Sequence, residues 1–115
     1  MNKRCVGSAY EQKAAEYLQK AGYQILEANY RCRLGEIDLI ALHGEYLVFI
    51  EVKYRKSRGK GNPLEAVHRK KQLIIGKVAE YYLLTHPKCR KYPCRFDVVG
   101  ILGEEITLVQ NAFEL

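Results

Sequence analysis

The sequence predicts a single α/β domain with the element order αβββαββ. Three observations support this prediction. Residues 8–21 repeat apolar side chains at helical spacing, residues 35–55 hold two alternating runs around a glycine turn, and a strand, a helix and a strand follow one another between residues 46 and 102. A chain of 115 residues can bury roughly two thirds of its unfolded surface in one core, so we expect one domain spanning residues 1–115.

The first helix is predicted from "SAYEQKAAEYLQKA", and Gly22 offers its C-terminal stop. Ser8 is followed three residues later by Glu11, the spacing of a capping box. The next segment, "YQILEANYR", is rich in β-formers and predicts the first strand.

A hairpin is predicted over "GEIDLIALHGEYLVFIEVKYR", because Gly44 at the first central position suits a two-residue type II′ turn. If His43 pairs with Tyr46, the register predicts further facing pairs: Leu42 with Leu47, Ile40 with Phe49, Asp38 with Glu51, and Glu36 with Lys53. The opposite face is then wholly apolar: Ile37, Leu39, Ala41, Val48, Ile50 and Val52.

A second helix is expected from the Asn62–Pro63 start signal to about Leu84, with Glu65 at the capping-box position and Pro87 beyond its end. The preceding "RKSRGKGN" is predicted to be a loop. "RFDVVGILGEEITLVQ" predicts a second hairpin that turns at Gly103-Glu104. The strand before the helix and the strand after it should form a right-handed parallel crossover.

The net charge of +6 favours attraction to polyanions. Its densest part is a basic group that is either a nucleic-acid contact or a solvated surface: Lys53, Arg55, Lys56, Arg58, Lys60, Arg69, Lys70 and Lys71. No apolar run approaches the roughly 20 residues that span a membrane, and the N-terminus lacks the apolar core of a signal peptide, so we expect a cytoplasmic protein. The only close cysteine pair, Cys89 and Cys94, matches no zinc pattern, and reduced cysteines are expected.

The facing carboxylates Asp38 and Glu51 would lie about 5 Å apart at their β-carbons and repel each other. Lys53, two residues beyond Glu51 on the same strand face, offsets only part of that repulsion. A divalent cation would turn the unfavourable pair into a binding site, since Mg²⁺ binds one or two carboxylates and keeps other positions for water and phosphate. The alternative is that Glu51 and Lys53 form an ion pair on an exposed face.

The motifs "GEIDLIA", "VFIEVKYR", "RFDVV" and "NAF" resemble the YraN family of uncharacterised bacterial proteins, from "YEQKAAEYL" through residue 113. That family in turn resembles the archaeal Holliday junction resolvases and the PD-(D/E)xK, restriction-endonuclease-like nuclease superfamily. The resemblance implies an αβββαβ core with a mixed sheet, here with one extra C-terminal strand. In place of the proline of the superfamily's name, this chain has Ile37.

The resemblance implies catalytic roles for Asp38, Glu51 and Lys53, and Mg²⁺ or Mn²⁺ held by the two carboxylates with the Val52 carbonyl. Glu11 matches a helical carboxylate of resolvase-like members, although a capping role explains it equally well. Three further positions are expected around the site: Glu36, Gln72 and Asp97, the last paired with Arg95 or a site lysine. Arg55, Lys56, Arg58, Lys60 and Lys71 are expected to contact phosphates.

We therefore expect a metal-dependent endonuclease, resolvase-like, that acts on branched or structured DNA. A four-way junction has two-fold symmetry, so a resolvase would act as a homodimer. Two alternatives remain open: a nucleic-acid-binding module that keeps the fold without catalysis, and a scaffold that binds another protein.

Overall fold

A computed structural model describes residues 9–56 and 67–115 of the chain. Its elements are helix α1 (Ala9–Lys20), strands β1 (Gln24–Cys32), β2 (Gly35–His43) and β3 (Tyr46–Arg55), helix α2 (Arg69–Thr85), a short 3-10 helix (Pro87–Lys91), and strands β4 (Cys94–Leu102) and β5 (Glu105–Val109). This order confirms the predicted α/β class. None of the described helices is long and apolar enough to cross a membrane.

The five strands form one mixed sheet in the order β1-β2-β3-β4-β5. Only the β3–β4 pair is parallel among the described strands, as the predicted crossover through α2 requires. The central strand β3 is therefore covered on both edges, and nine of its ten residues are buried or half-buried, with apolar clusters on both faces of the sheet. A charged residue in the middle of β3 is consequently a buried one.

Each face of the sheet is packed by one helix. On the α1 side, Ala14, Ala15 and Leu18 pack against a cluster from the strands: Leu39, Ala41, Val48, Ile50, Val52, Val99 and Ile101. On the α2 side, Ile75, Val78, Ala79 and Tyr82 pack against Ile37, Ile40, Leu47 and Phe49. The predicted alternation along β3 is confirmed, because Phe49 lies on one side and Ile50 and Val52 lie on the other.

The first hairpin has the predicted register, with His43 opposite Tyr46 and Ile40 opposite Phe49, but the described ladder ends at Leu39 and Ile50 and does not include the predicted pairs Asp38–Glu51 and Glu36–Lys53. Gly44 has a φ of +59°, a conformation that glycine adopts at no steric cost. One residue departs from the prediction: Ile37 packs on the α2 side, not with Leu39. The alternation of β2 is interrupted between them, where β1 has Asn29 at a φ of +55°.

The start of α2 was predicted wrongly. Val67 and His68 are not helical, and the helix begins at Arg69 with His68 at the N-cap. The expected start signal at Asn62, Pro63 and Glu65 lies outside the described residues, as does Ser8 of the expected capping box. The end near Leu84 and the second hairpin turn at Gly103-Glu104 are confirmed.

Candidate active site

The candidate site lies where β2 and β3 part. The described pairs between these strands end at Leu39 and Ile50. At the next residue of β2, the side chain replaces the backbone as the acceptor, because the Asp38 Oδ2 accepts a hydrogen bond of 2.8 Å from the Val52 backbone N–H. This bond anchors one carboxylate oxygen to the strand that carries Glu51.

Glu51 is the second carboxylate of the site, and only 5% of its surface is exposed. Its Oε2 atom lies 3.2 Å from the Lys53 Nζ and 3.6 Å from the Lys71 Nζ. The ion pair of Glu51 and Lys53 in the alternative interpretation is therefore confirmed, but its expected exposure is wrong, because the carboxylate is buried on the central strand. Sequence reasoning assigned Lys71 only to phosphate contact. The packing of α2 over the sheet brings its first turn to Glu51, and the helical spacing of Lys71 with Ile75 and Val78, which predicts one common face, is the sequence signal for this position.

The position of Asp38 makes its negatively charged form unfavourable. Burial, followed by the charge of Glu51, raises the pKa of Asp38 to about 8, although the Val52 N–H bond lowers it in part. The charges of Glu11 and Glu36 also raise this pKa, which shows that both lie within electrostatic range of Asp38. The charge of Glu51 thus acts strongly on Asp38, and Glu11 stays a predicted member of the site.

The donor set fits a hard divalent cation bound by few protein ligands. Among residues 9–56 and 67–115, no three His, Cys, Asp or Glu side chains are close enough together to form a metal cage. Two carboxylates with open positions suit Mg²⁺ or Mn²⁺, because Mg²⁺ keeps several waters and shares its remaining positions with substrate phosphate. Asp38 and Glu51 would hold the ion, and the Val52 carbonyl remains a predicted third ligand.

Two residues expected around the site are engaged elsewhere. The predicted pair of Glu36 and Lys53 is not part of the β2–β3 ladder, which ends at Leu39 and Ile50. Glu36 instead forms an ion pair with Arg31, its partner on β1, at 3.3 Å between Oε2 and Nε. Gln72 accepts from the Arg69 guanidinium and donates to the Val67 carbonyl, so it completes the first turn of α2.

The third of these residues, Asp97, lies on the α1 side of the sheet and is fully buried. Arg95 donates two bonds of 2.9 Å to its carboxylate, and the Tyr23 hydroxyl and the Asn111 N–H complete its partners. The predicted pairing with Arg95 is confirmed. Because Glu51 faces α2, this network supports the opposite face of the sheet and is separate from the candidate site.

The basic residues expected to contact phosphate are placed only in part. Arg55 is the last residue of β3 and Lys56 follows it, and the Arg55 guanidinium donates to the Tyr54 carbonyl. Arg58 and Lys60 lie outside the described residues. The described part of the basic group therefore continues from the site along the end of β3, as a backbone-binding surface would.

Comparison with known proteins identifies the family of this chain. The model of the uncharacterised protein family UPF0102 matches residues 10–101. A UPF0102 protein of Lachnoclostridium phytofermentans is 54% identical over 99% of this chain and 97% of its own length, and one of Caldicellulosiruptor bescii is 49% identical over 98% of this chain and 100% of its own. The resemblance to the YraN family is thereby confirmed, and the chain belongs to the UPF0102, or YraN, family.

Proposed function

We propose that this protein is a metal-dependent endonuclease that hydrolyses phosphodiester bonds in branched or structured DNA. The observation that carries the proposal is the pair of carboxylates, Asp38 and buried Glu51, at the parted ends of two central strands. A buried carboxylate costs folding free energy unless it is fully compensated, and apolar residues at these positions would make a more stable sheet. A site that costs stability in this way is typical of catalysis.

The two carboxylates would position the metal ion, Asp38 through its Oδ1 atom and Glu51 through its Oε1 atom. When bound, the ion would lower the pKa of a coordinated water and stabilise negative charge on the phosphate. Binding would also relieve the repulsion between Asp38 and Glu51, since a divalent charge would replace a proton between them.

The lysines complete the charge balance of the proposed reaction. Lys53 would orient the attacking water and neutralise charge that develops on the phosphate oxygens. Its contact with Glu51, at 3.2 Å, holds the ammonium beside the reacting position before substrate arrives. Lys71, which lies 3.6 Å from the same carboxylate oxygen, would bind the scissile phosphate or its neighbour.

Substrate affinity is expected from contacts with the phosphate backbone. Arg55 and Lys56 extend the positive surface beyond the lysines, and Arg58 and Lys60 follow in sequence. Such contacts position DNA without reading its bases, so selectivity would come from the shape of the substrate. Binding should weaken steeply between 50 and 200 mM salt, by about tenfold or more for each two or three phosphate contacts.

A nucleic-acid-binding module without catalysis is the second candidate. It is favoured by one observation, that both Lys53 and Lys71 lie within ion-pair distance of Glu51, so a carboxylate needed for metal binding is already neutralised in part. The two candidates predict the same binding and different turnover.

The deciding experiment incubates a labelled four-way junction, a matched duplex and a single strand with purified protein in Mg²⁺, Mn²⁺ or EDTA. Cleavage that requires metal and is lost in Glu51→Gln would support the nuclease. Glu45→Gln is the matched control, since it removes the same charge from the exposed β2–β3 turn. DNA binding without cleavage by wild type and Glu51→Gln alike would favour the binding module, and the absence of both would refute both.

A further inference from the structure

Helix α2 carries an unusual outward stripe, made of Leu73, Lys77, Glu80 and Leu84. At 100° per residue these four side chains fall within about 60° of arc, directly opposite the core-facing residues of the helix. Leu73 is 48% exposed and Leu84 is 66% exposed, and the two charged residues between them are also exposed. Among the described residues, none lies within ion-pair distance of Lys77 or Glu80.

The stripe is complementary to itself. Two copies of α2 can lie antiparallel about a two-fold axis midway between Lys77 and Glu80. In this arrangement, the numbers of any two residues that face each other add up to 157. Lys77 then faces Glu80 of the second copy, twice by symmetry, and Leu73 faces Leu84. Opposite charges meet at the centre and apolar side chains meet at both ends.

A groove beside the stripe offers space for the projecting leucine. Its volume is about 590 Å³, and its lining includes Leu73, Gly76, Leu83, Phe96 and Leu115. Leu84 of a second copy, lying opposite Leu73, would enter this groove. The same surface therefore provides a projecting apolar side chain and an apolar recess for it, which is the requirement for an isologous interface.

We propose that the outward stripe of α2 is a homodimer interface, with a second copy of this chain as its occupant. One helix pair and one groove on each side are expected to bury less than the roughly 800 Å² that each partner contributes to a standard stable interface, so we expect a weak dimer, with a dissociation constant on the order of micromolar. The inference rests on the stripe alone and does not depend on the proposed nuclease activity.

The test is sedimentation velocity of the full chain between about 5 and 500 µM, which brackets a micromolar dissociation constant. Wild type should shift from monomer to dimer over this range. Lys77→Glu and Glu80→Lys each turn two attractive contacts into two repulsive ones, and each should weaken the dimer by about tenfold or more. The two variants change the net charge in opposite directions, so a general charge effect would not weaken both.

Two combinations make the test specific to the antiparallel pairing. The double variant Lys77→Glu/Glu80→Lys restores both opposite-charge contacts and should dimerise as wild type does. An equimolar mixture of the two single variants should form dimers more strongly than either alone, because every contact in the mixed dimer pairs opposite charges. A monomeric wild type at all concentrations, single variants that dimerise normally, or a double variant as weak as the single ones would each overturn the proposal. Circular dichroism of each variant checks folding.

Discussion

Replacing Asp38 by asparagine should stabilise the metal-free protein at high pH, even though it removes a residue of the proposed active site. Burial and the neighbouring Glu51 raise the pKa of Asp38 from 3.8 to about 8. Between these pH values the folded protein holds a proton that the unfolded chain releases. The folded state therefore binds more protons, and its stability falls as pH rises from about 4 to 8.

The size of the effect follows from the shift. Each unit of pKa is worth about 1.4 kcal/mol, so the shift of Asp38 sets a ceiling of roughly 5 to 6 kcal/mol, and relaxation of the site with entry of water should reduce the realised effect to about 2 kcal/mol. Asparagine has nearly the same shape, and its carbonyl oxygen can still accept from the Val52 N–H. The variant thus removes the charge and keeps the hydrogen bond.

The assay is urea denaturation in EDTA at pH 5, 7 and 8.5, followed by far-ultraviolet circular dichroism because the chain contains no tryptophan. Asp38→Asn should exceed wild type by about 2 kcal/mol at pH 8.5, and the difference should shrink towards zero at pH 5. Glu45→Gln, in the exposed turn, should show no such difference. The raised pKa of Asp38 is refuted if Asp38→Asn is no more stable than wild type at pH 8.5, or if the difference in their free energies of unfolding is the same at every pH.

Three further predictions concern the metal, a lysine and the network on the other face. At pH 8.5, Mg²⁺ at a free concentration ten times its dissociation constant should stabilise wild type by about 1.4 kcal/mol in the same urea titration and leave the stability of Asp38→Asn unchanged. Equal responses of the two proteins would argue against a metal between the carboxylates. Lys53→Met should slow metal-dependent cleavage of the preferred substrate by about 10²-fold or more in single-turnover assays, and an unchanged rate would exclude its proposed role at the phosphate. Asp97→Asn leaves the buried Arg95 charge without its partner and should cost about 3 kcal/mol in urea denaturation, while the cleavage rate per folded molecule stays the same; a selective loss of cleavage would link this network to the site.

Features set by neighbouring residues could be predicted from the sequence alone. The alternation of β3 and the glycine turn at Gly44 determine the hairpin register, because side chains alternate with a period of two and a two-residue turn allows one pairing. That register placed Asp38 near Glu51. The parallel β3–β4 pair followed from the length of the crossover, and the family resemblance followed from the spaced motifs.

Only the tertiary structure determined which residues from distant parts of the chain contact the residues of the hairpin. The position of Lys71 beside Glu51 depends on how α2 packs across the sheet, and the partner of Glu36 depends on the pairing of β1 with β2. Asp97 could not be assigned to a face relative to Glu51 until β4 was aligned with β3. These contacts join residues far apart in the chain, so they are governed by the packing of whole elements, whereas the hairpin is governed by the chemistry of consecutive residues.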